Sequence, residues 1–355
     1  MGGRGVTGPP PSCRSHGFRD RAGRLPTRLL SGAVAAFRLS SRGHMPGAWP
    51  TVGFCVAPMV ASAARAHTEG APISPHDFWT AWSLQLTVVV PIAVALLLYG
   101  RGLHLAWSRA GIGRGTAVWR AGLFALGLIA LLAGLVWPLD AMGESLFSAH
   151  MAQHIVLMGV AAPLLVLGLP MPTMIRSLPR EWQRGLALAV RWQPWRRFWE
   201  FITRIDVATI MQLLVFTLWH IPSAIALSLE NDFVHSLMHG SMLTAGLLFW
   251  TAILPMRSGE FGSAIVALFV NFKFSLVLGA LLAFSSHAFY ESYLDRGLPW
   301  GVTLLEDQQF AGVLMMVVQP MMYLLALVIR VALLLRSPDK RVATILTPQP
   351  EGLPR

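Results

Sequence analysis

The chain has 355 residues, 54% of them hydrophobic and only 13% charged, with a mean hydropathy of +0.56. Soluble globular domains carry about a quarter of their residues as charges, so this balance points to a polytopic membrane protein. The formal net charge of +11 does not signal nucleic-acid binding: residues 1–66 hold nine arginines against one acid, Asp20, and that +8 leaves only +3 for the rest of the chain.

Residues 1–43 are rich in Arg, Gly, Ser and Pro, show no sustained apolar period, and read as disordered. The segment "MPGAWPTVGFCVAPMVASAARA" follows, a short apolar run that ends in small residues, and Ala64, Arg65 and Ala66 fit the A-x-A pattern of signal-peptidase sites. Residues 1–66 are thus expected to be an Arg-rich extension plus a cleaved signal peptide, with an uncleaved anchor as the alternative. A true translation start nearer Met45 is a second account of the long extension. Both cysteines, Cys13 and Cys55, lie in this leader. A chain beginning at His67 has no thiol, so any metal it binds relies on His, Met or carboxylates.

After a short tail at 67–78, seven apolar runs follow at 79–99, 117–137, 146–169, 207–227, 233–253, 264–285 and 310–335, each near the roughly 20 residues that cross a bilayer as helix. The fold expected is an all-α, polytopic bundle of seven transmembrane helices over 79–335, followed by a tail at 336–355. The loops orient it. Arg101, Arg109, Arg114 and Arg120 cluster after the first run, and Arg176, Arg180, Arg184, Arg191, Arg196, Arg197 and Arg204 after the third. Arg257, Arg336, Lys340 and Arg341 extend the same side. The alternate loops are acidic, with Asp140, Glu144, Glu230, Asp232, Glu291, Asp295, Glu306 and Asp307. The positive-inside rule then places the N-terminus outside and the C-terminus inside. In the third loop "REWQRGLALAVRWQPWRRFWEF" mixes Arg with Trp and Leu, as an amphipathic segment lying on lipid headgroups does.

The stretch "SAHMAQHIVLMGVAAPLLVLG" puts His150 and His154 in the outer half of the third span. His220, in "LWHIP", sits about 10 Å below the outer end of the fourth. His235 and His239 open the fifth span, and His287 follows the sixth. Histidines four apart project from one helix face, so each pair can bite one ion, and Pro222 loosens the helix beside His220. Met158 continues the His150–His154 face and Met242 lies seven residues beyond His235. Thioether with imidazole suits copper, Cu(I) especially. A lone histidine near a helix end is more often a satisfied interfacial side chain, but two matched pairs within spans favour a metal site. Bis-His haem in a membrane electron-transfer protein is the alternative, with one haem held between residues such as His154 and His239. A di-iron site ranks third, because histidine-box enzymes use more histidines and face the cytosol. Lys273, in the sixth run, is expected to snorkel or to pair with a carboxylate such as Asp206. No nucleophile–base pair, phosphate loop or dinucleotide fingerprint suggests an enzyme.

The ordered set "HMAQHIVLMGVAAPLLVLGLP", "LWHIP", "HSLMHGSMLTAGLLFW", "FYESY" and "EDQQFAGVLM" resembles the CtaG-like assembly factors of caa3-type cytochrome c oxidase, and "LLYGRGLHLAW" is similar to a further segment of that family. The likeness spans about 78–335. It implies a seven-span protein of the bacterial plasma (inner) membrane that helps mature a copper centre of a haem-copper oxidase, with oxidase subunits or other copper chaperones as partners. His150, His154, His220, His235, His239, Asp307 and Gln308 fall on the family's motif positions, while His287 does not clearly do so. Family members often carry an acid where Met238 stands, and "MMVVQPMMYL" departs from the family's Trp and Gly. Asp307 is expected either to orient a ligating imidazole or to cap a helix.

Cleavage after Ala66 would leave His67 as the N-terminus, where its α-amine and imidazole form a chelating pair for Cu(II), with His76 nearby; an unstructured stub is the alternative. Edman sequencing of the protein purified from membranes is expected to begin at His67, and a mature chain that retains residues before 67 rules this capture arm out.

Overall fold

The computed structural model describes residues 1–3, 73–255 and 260–336. Residues 4–72, with the rest of the leader, its two cysteines and His67, lie outside the described residues, as do Arg257, Lys340 and Arg341. Among the described residues all regular structure is helical. The elements are α1 Leu86–Ala110, α2 Val118–Leu135, the short α3 Leu139–Gly143, α4 Phe147–Ile155, a π-helical stretch Val156–Ala161, α5 Ala162–Gly168, α6 Pro170–Ser177, α7 Arg180–Arg191, α8 Gln193–Ile202, α9 Ile205–Trp219, α10 Pro222–Glu230, α11 Asp232–Ile253, α12 Phe261–Ala283 and α13 Leu304–Arg336.

Six segments are long and apolar enough to cross a membrane: α1, α2 with α3, the run from α4 to α5, α11, α12 and α13 up to Leu333. A seventh is reached if α8 and α9, bent by 65° to one another, count as one. The fourth expected span, 207–227, is therefore not a continuous helix. It breaks at His220 and Ile221, and Pro222, which has no N–H to continue the ladder, restarts the chain as α10. At about 22 Å, α9 by itself falls short of the roughly 30 Å hydrocarbon layer.

Other boundaries move as well. The first span begins at Leu86 rather than residue 79, because residues 75–80 form turns. Phe78, Trp79 and Trp82 gather around Trp137, with ring centroids 5.1 to 5.4 Å away, and the Trp137 indole donates to the Phe78 carbonyl at 3.1 Å. Helix α1 runs on to Ala110, so Arg101 and an exposed His104 belong to it rather than to a loop. The last span starts six residues earlier than residue 310, which draws Asp307 and Gln308 into its first turns.

Amphipathic α7 and α8 expose Trp182, Leu188, Phe198 and Phe201, with exposed Trp192 between them, the pattern of helices that lie in an interface. Lys273 on α12 is exposed and stands over the rings of Phe269 and Phe272, at 5.6 and 5.7 Å. It does not pair with Asp206, which binds its neighbour Arg204 at 2.7 Å.

The polar residues inside the bundle tie helices together. Gln212 on α9 donates to Asn271 on α12 at 3.1 Å and to the Tyr323 hydroxyl on α13 at 2.7 Å. Arg330, buried near the end of α13, donates to the carbonyls of Ile253 and Pro255 at the C-terminal end of α11, where a cation matches the helix dipole. Helices α12 and α13 touch backbone to backbone: a Cβ on Gly279 would lie 2.7 Å from the Gly312 carbonyl oxygen, and one on Gly312 would lie 2.7 Å from that of Gly279. Small residues permit this approach, which drives helix association in lipid. Replacing Gly312 by Val is expected to cost roughly 1–3 kcal/mol through overpacking, read as a lowered thermal transition of the detergent-solubilised protein. An unchanged transition would show that the contact is dispensable.

Candidate metal centre

Helix α4 carries His150 and His154 and is buried from its first residue, with Phe147 at 0% and Ser148 at 6% exposure. A helix start needs acceptors for its first N–H groups, and water cannot reach these. The Asp307 carboxylate, projecting from α13, accepts from the Phe147 N–H at 2.6 Å and the Ser148 N–H at 3.1 Å. Asp307 thus caps another helix, through the Phe147 and Ser148 backbone and the Ser148 side chain, and this takes the place of the expected bond to an imidazole. A single carboxylate fixes where the histidine helix begins.

Past Ile155 the ladder widens to π-helical spacing over Val156–Ala161, a distortion that recurs at functional sites. The Met158 carbonyl accepts the Trp250 indole N–H at 2.8 Å. There α4 and its continuation cross α11 at Gly246, where a Cβ would stand 3.2 Å from both the Met158 Cα and the Ala162 Cβ. That crossing brings the two H-x-x-x-H faces together.

Five of the six predicted histidines meet. Ring centroids are 4.6 Å apart for His150 and His154, and 4.5 Å for His235 and His239. Across the helices they are 5.9 Å for His150–His235, 5.8 Å for His150–His239 and 5.8 Å for His154–His239. His220 joins from the break in α9, 5.7 Å from His154. His150, His154, His220 and His239 are buried, whereas His235 is partly exposed at the rim.

The site's chemistry follows from which nitrogens have partners. The His220 Nδ1 lies 2.6 Å from the Phe216 carbonyl oxygen. A carbonyl only accepts, so this nitrogen carries the proton and Nε2 presents its lone pair to the cluster. That is the arrangement in which proteins hold metal-binding imidazoles. The chain around His220 is pinned by the Tyr290 hydroxyl, which donates to the His220 carbonyl at 2.9 Å, and by the Trp219 indole, which donates to Ser241 at 2.8 Å. Both ring nitrogens of His150 and of His154, and the Nε2 atoms of His220 and His239, are buried without a hydrogen-bond partner. Buried polar atoms in native proteins are rarely left so, and an ion among them would supply what they lack. Ligand atoms of His150, His235 and His239 all fall within 4.8 Å of one another, and among the described residues no carboxylate joins them. The residues fit a metal held by neutral imidazoles.

His287 stands apart. It is exposed in the loop after α12, with its Nδ1 2.9 Å from the Ser286 hydroxyl, and its carbonyl accepts from Gln308 at 3.0 Å. Gln308 also accepts the Phe289 N–H at 2.6 Å, so it straps this loop to α13 rather than facing the imidazoles. Met158 and Met242 are fully buried in one core with Met151, Met238 and Met315, around the histidine helices.

Three supporting residues escaped the sequence reading. Gln153, one turn after His150 and next to His154, donates to the Gly134 carbonyl at 2.9 Å and to Asp140 at 3.0 Å. Tyr290 reaches His220, and the Tyr293 hydroxyl donates to the Gly143 carbonyl at 2.8 Å. Burial pushes both phenols above the ordinary tyrosine pKa, so they remain donors. The "FYESY" motif contained both tyrosines, but nothing local assigns them partners some 70 and 150 residues away.

Together these features define a polytopic helical membrane protein with a buried imidazole cluster at one end of its bundle. Residues 97–337 match the family described as "Cytochrome c oxidase caa3 assembly factor (Caa3_CtaG)", and the chain belongs to that family. Among curated proteins it is 27% identical over 180 residues to "Uncharacterized protein Mb0105" of Mycobacterium bovis and to "Uncharacterized protein MT0111" of Mycobacterium tuberculosis. These matches cover 48% of this chain and 27% of each relative, so the matched part spans little more than a quarter of the relatives' length. No solved structure matches.

Asp307→Ala strips the acceptor from two buried N–H groups and is expected to cost roughly 1–3 kcal/mol. Asp307→Asn, which keeps one acceptor, should lose less. Thermal unfolding in detergent measures both, and equal transitions for wild type and both variants would refute the capping role.

Proposed function

We propose that this protein binds copper, as Cu(I), through the imidazole cluster and supports maturation of a copper centre in a haem-copper cytochrome c oxidase. The observation that carries this reading is the convergence of five histidines, four of which (His150, His154, His220 and His239) bury ring nitrogens that lack hydrogen-bond partners, with His220 already held in a ligating tautomer. Neutral donors leave an ion's charge uncompensated. The cost of burying a charge rises with its square, so a monovalent ion is the better fit. Imidazoles beside a methionine-lined core suit copper in that state. His150, His154, His220, His235 and His239 would hold the cargo. The protein acts as a binding and delivery factor rather than an enzyme.

The site is assigned to the periplasmic side of a bacterial plasma membrane. Support comes from the charge pattern: Arg176, Arg180 and the Arg-rich α7–α8 segment follow the end of the third span opposite its histidines, as cytoplasmic loops do. Oxidase subunits or other copper chaperones are the partners implied by family membership. The haem alternative finds less support, because a haem uses two imidazoles and here five gather with neighbouring ring centroids 4.5 to 5.9 Å apart.

His239→Ala is expected to lower the Cu(I) retained by the purified protein to half of the wild-type content or less while leaving membrane insertion unchanged. Cells lacking the protein should assemble oxidase subunits with little activity, restored in part by added copper. Undiminished copper in the variant, or full oxidase activity in the deletion strain, would overturn the reading.

A further inference from the structure

The cluster holds more imidazoles than one ion can use, and their arrangement divides them. An ion about 2 Å from a ring nitrogen lies about 3.2 Å from the ring centroid, so two rings sharing an ion have centroids no more than about 6.4 Å apart. His150, His235 and His239 meet this limit in all three pairings, at 5.9, 5.8 and 4.5 Å, and their ligand atoms form one mutually close group. Neither His154 nor His220 joins that group. His220 meets the limit with His154 at 5.7 Å, and His154, which also meets it with His150 at 4.6 Å and His239 at 5.8 Å, links this pair to the group. A neutral imidazole donates one lone pair, and Cu(I) accepts two, three or four such donors. Five imidazoles around one ion therefore leave at least one buried ring unused, and the ring left over is drawn from the His154–His220 pair.

We infer that the cluster is two copper sites: a rim site of His150, His235 and His239, and an inner site of His154 and His220. The inference rests on the proposed copper-binding function and adds to it the number of ions and their order of access. His235 is partly exposed and opens the rim site to the aqueous face, whereas His154 at 1% and His220 at 7% exposure close the inner one. The inner site is also the more rigid, because the Phe216 carbonyl holds the His220 ring and Tyr290 holds its backbone. Copper in the rim site exchanges readily with partners, and copper in the inner site is retained.

The test is metal content of the full-length protein in detergent, loaded with excess Cu(I) under reductant and then desalted. Two coppers per chain are expected for wild type. His220→Ala should hold one that a membrane-impermeant Cu(I) chelator removes quickly, and His235→Ala one that it removes slowly. Wild-type stoichiometry needs no variant to fold, and His220→Gln, which keeps a polar side chain at the break, gives a second route to the inner site. One copper per chain in wild type would overturn the two-site inference and leave the copper-binding function standing. No copper at all would overturn both. Two coppers in His220→Ala, or release of both wild-type ions in a single fast phase, would overturn the assignment of the inner site.

Discussion

The position of α4 depends on one buried carboxylate. A helix that starts inside a membrane protein has N–H groups that neither lipid nor water can satisfy, and Asp307 accepts two of them. Arg330, farther along α13, meets the carbonyls at the opposite end of α11. One helix thus terminates both histidine-bearing helices, each with the charge that complements its dipole. Their axial positions, and so the depths of His150 and His154 relative to His235 and His239, are set against a common brace.

Within that brace, the polar groups fall into two sets. Those that join helices have partners: the Gln212 amide nitrogen with Asn271 and Tyr323, Ser275 with the Met315 carbonyl, the Trp250 indole with the Met158 carbonyl. The histidines break the rule, since six ring nitrogens from four of them are buried without hydrogen-bond partners. Local rules are broken at functional sites, where stability is traded for chemistry. The distortions gather there as well. The ladder is π-helical just after His154, and α9 stops at His220.

Family membership and the site answer different questions. The match over 97–337 places the chain in the family described as caa3 oxidase assembly factors. It does not say which residues meet. Of the two motif residues at the start of α13, Asp307 serves a helix start and Gln308 serves a loop. Both hold the backbone around the imidazoles in place, so a motif residue need not face the cluster.

The membrane class and most of the spans were legible in the sequence because hydropathy over some 20 residues is a local property of the chain. The H-x-x-x-H pairs were legible for a similar reason: i and i+4 share a face in any α-helix. The sequence alone determined that His150 pairs with His154 and His235 with His239. Only the tertiary structure decided that the two pairs face each other, because that depends on the crossing at Gly246. It likewise showed that His220 comes in from a broken helix, a break that Pro222 marked without fixing its angle. His287, equally close to a helix end in sequence, stays on the surface because the loop that carries it is strapped to Gln308. Contacts between residues some 160 apart, such as Asp307 with Phe147, leave no periodicity to read, and they are what turn two local motifs into one site.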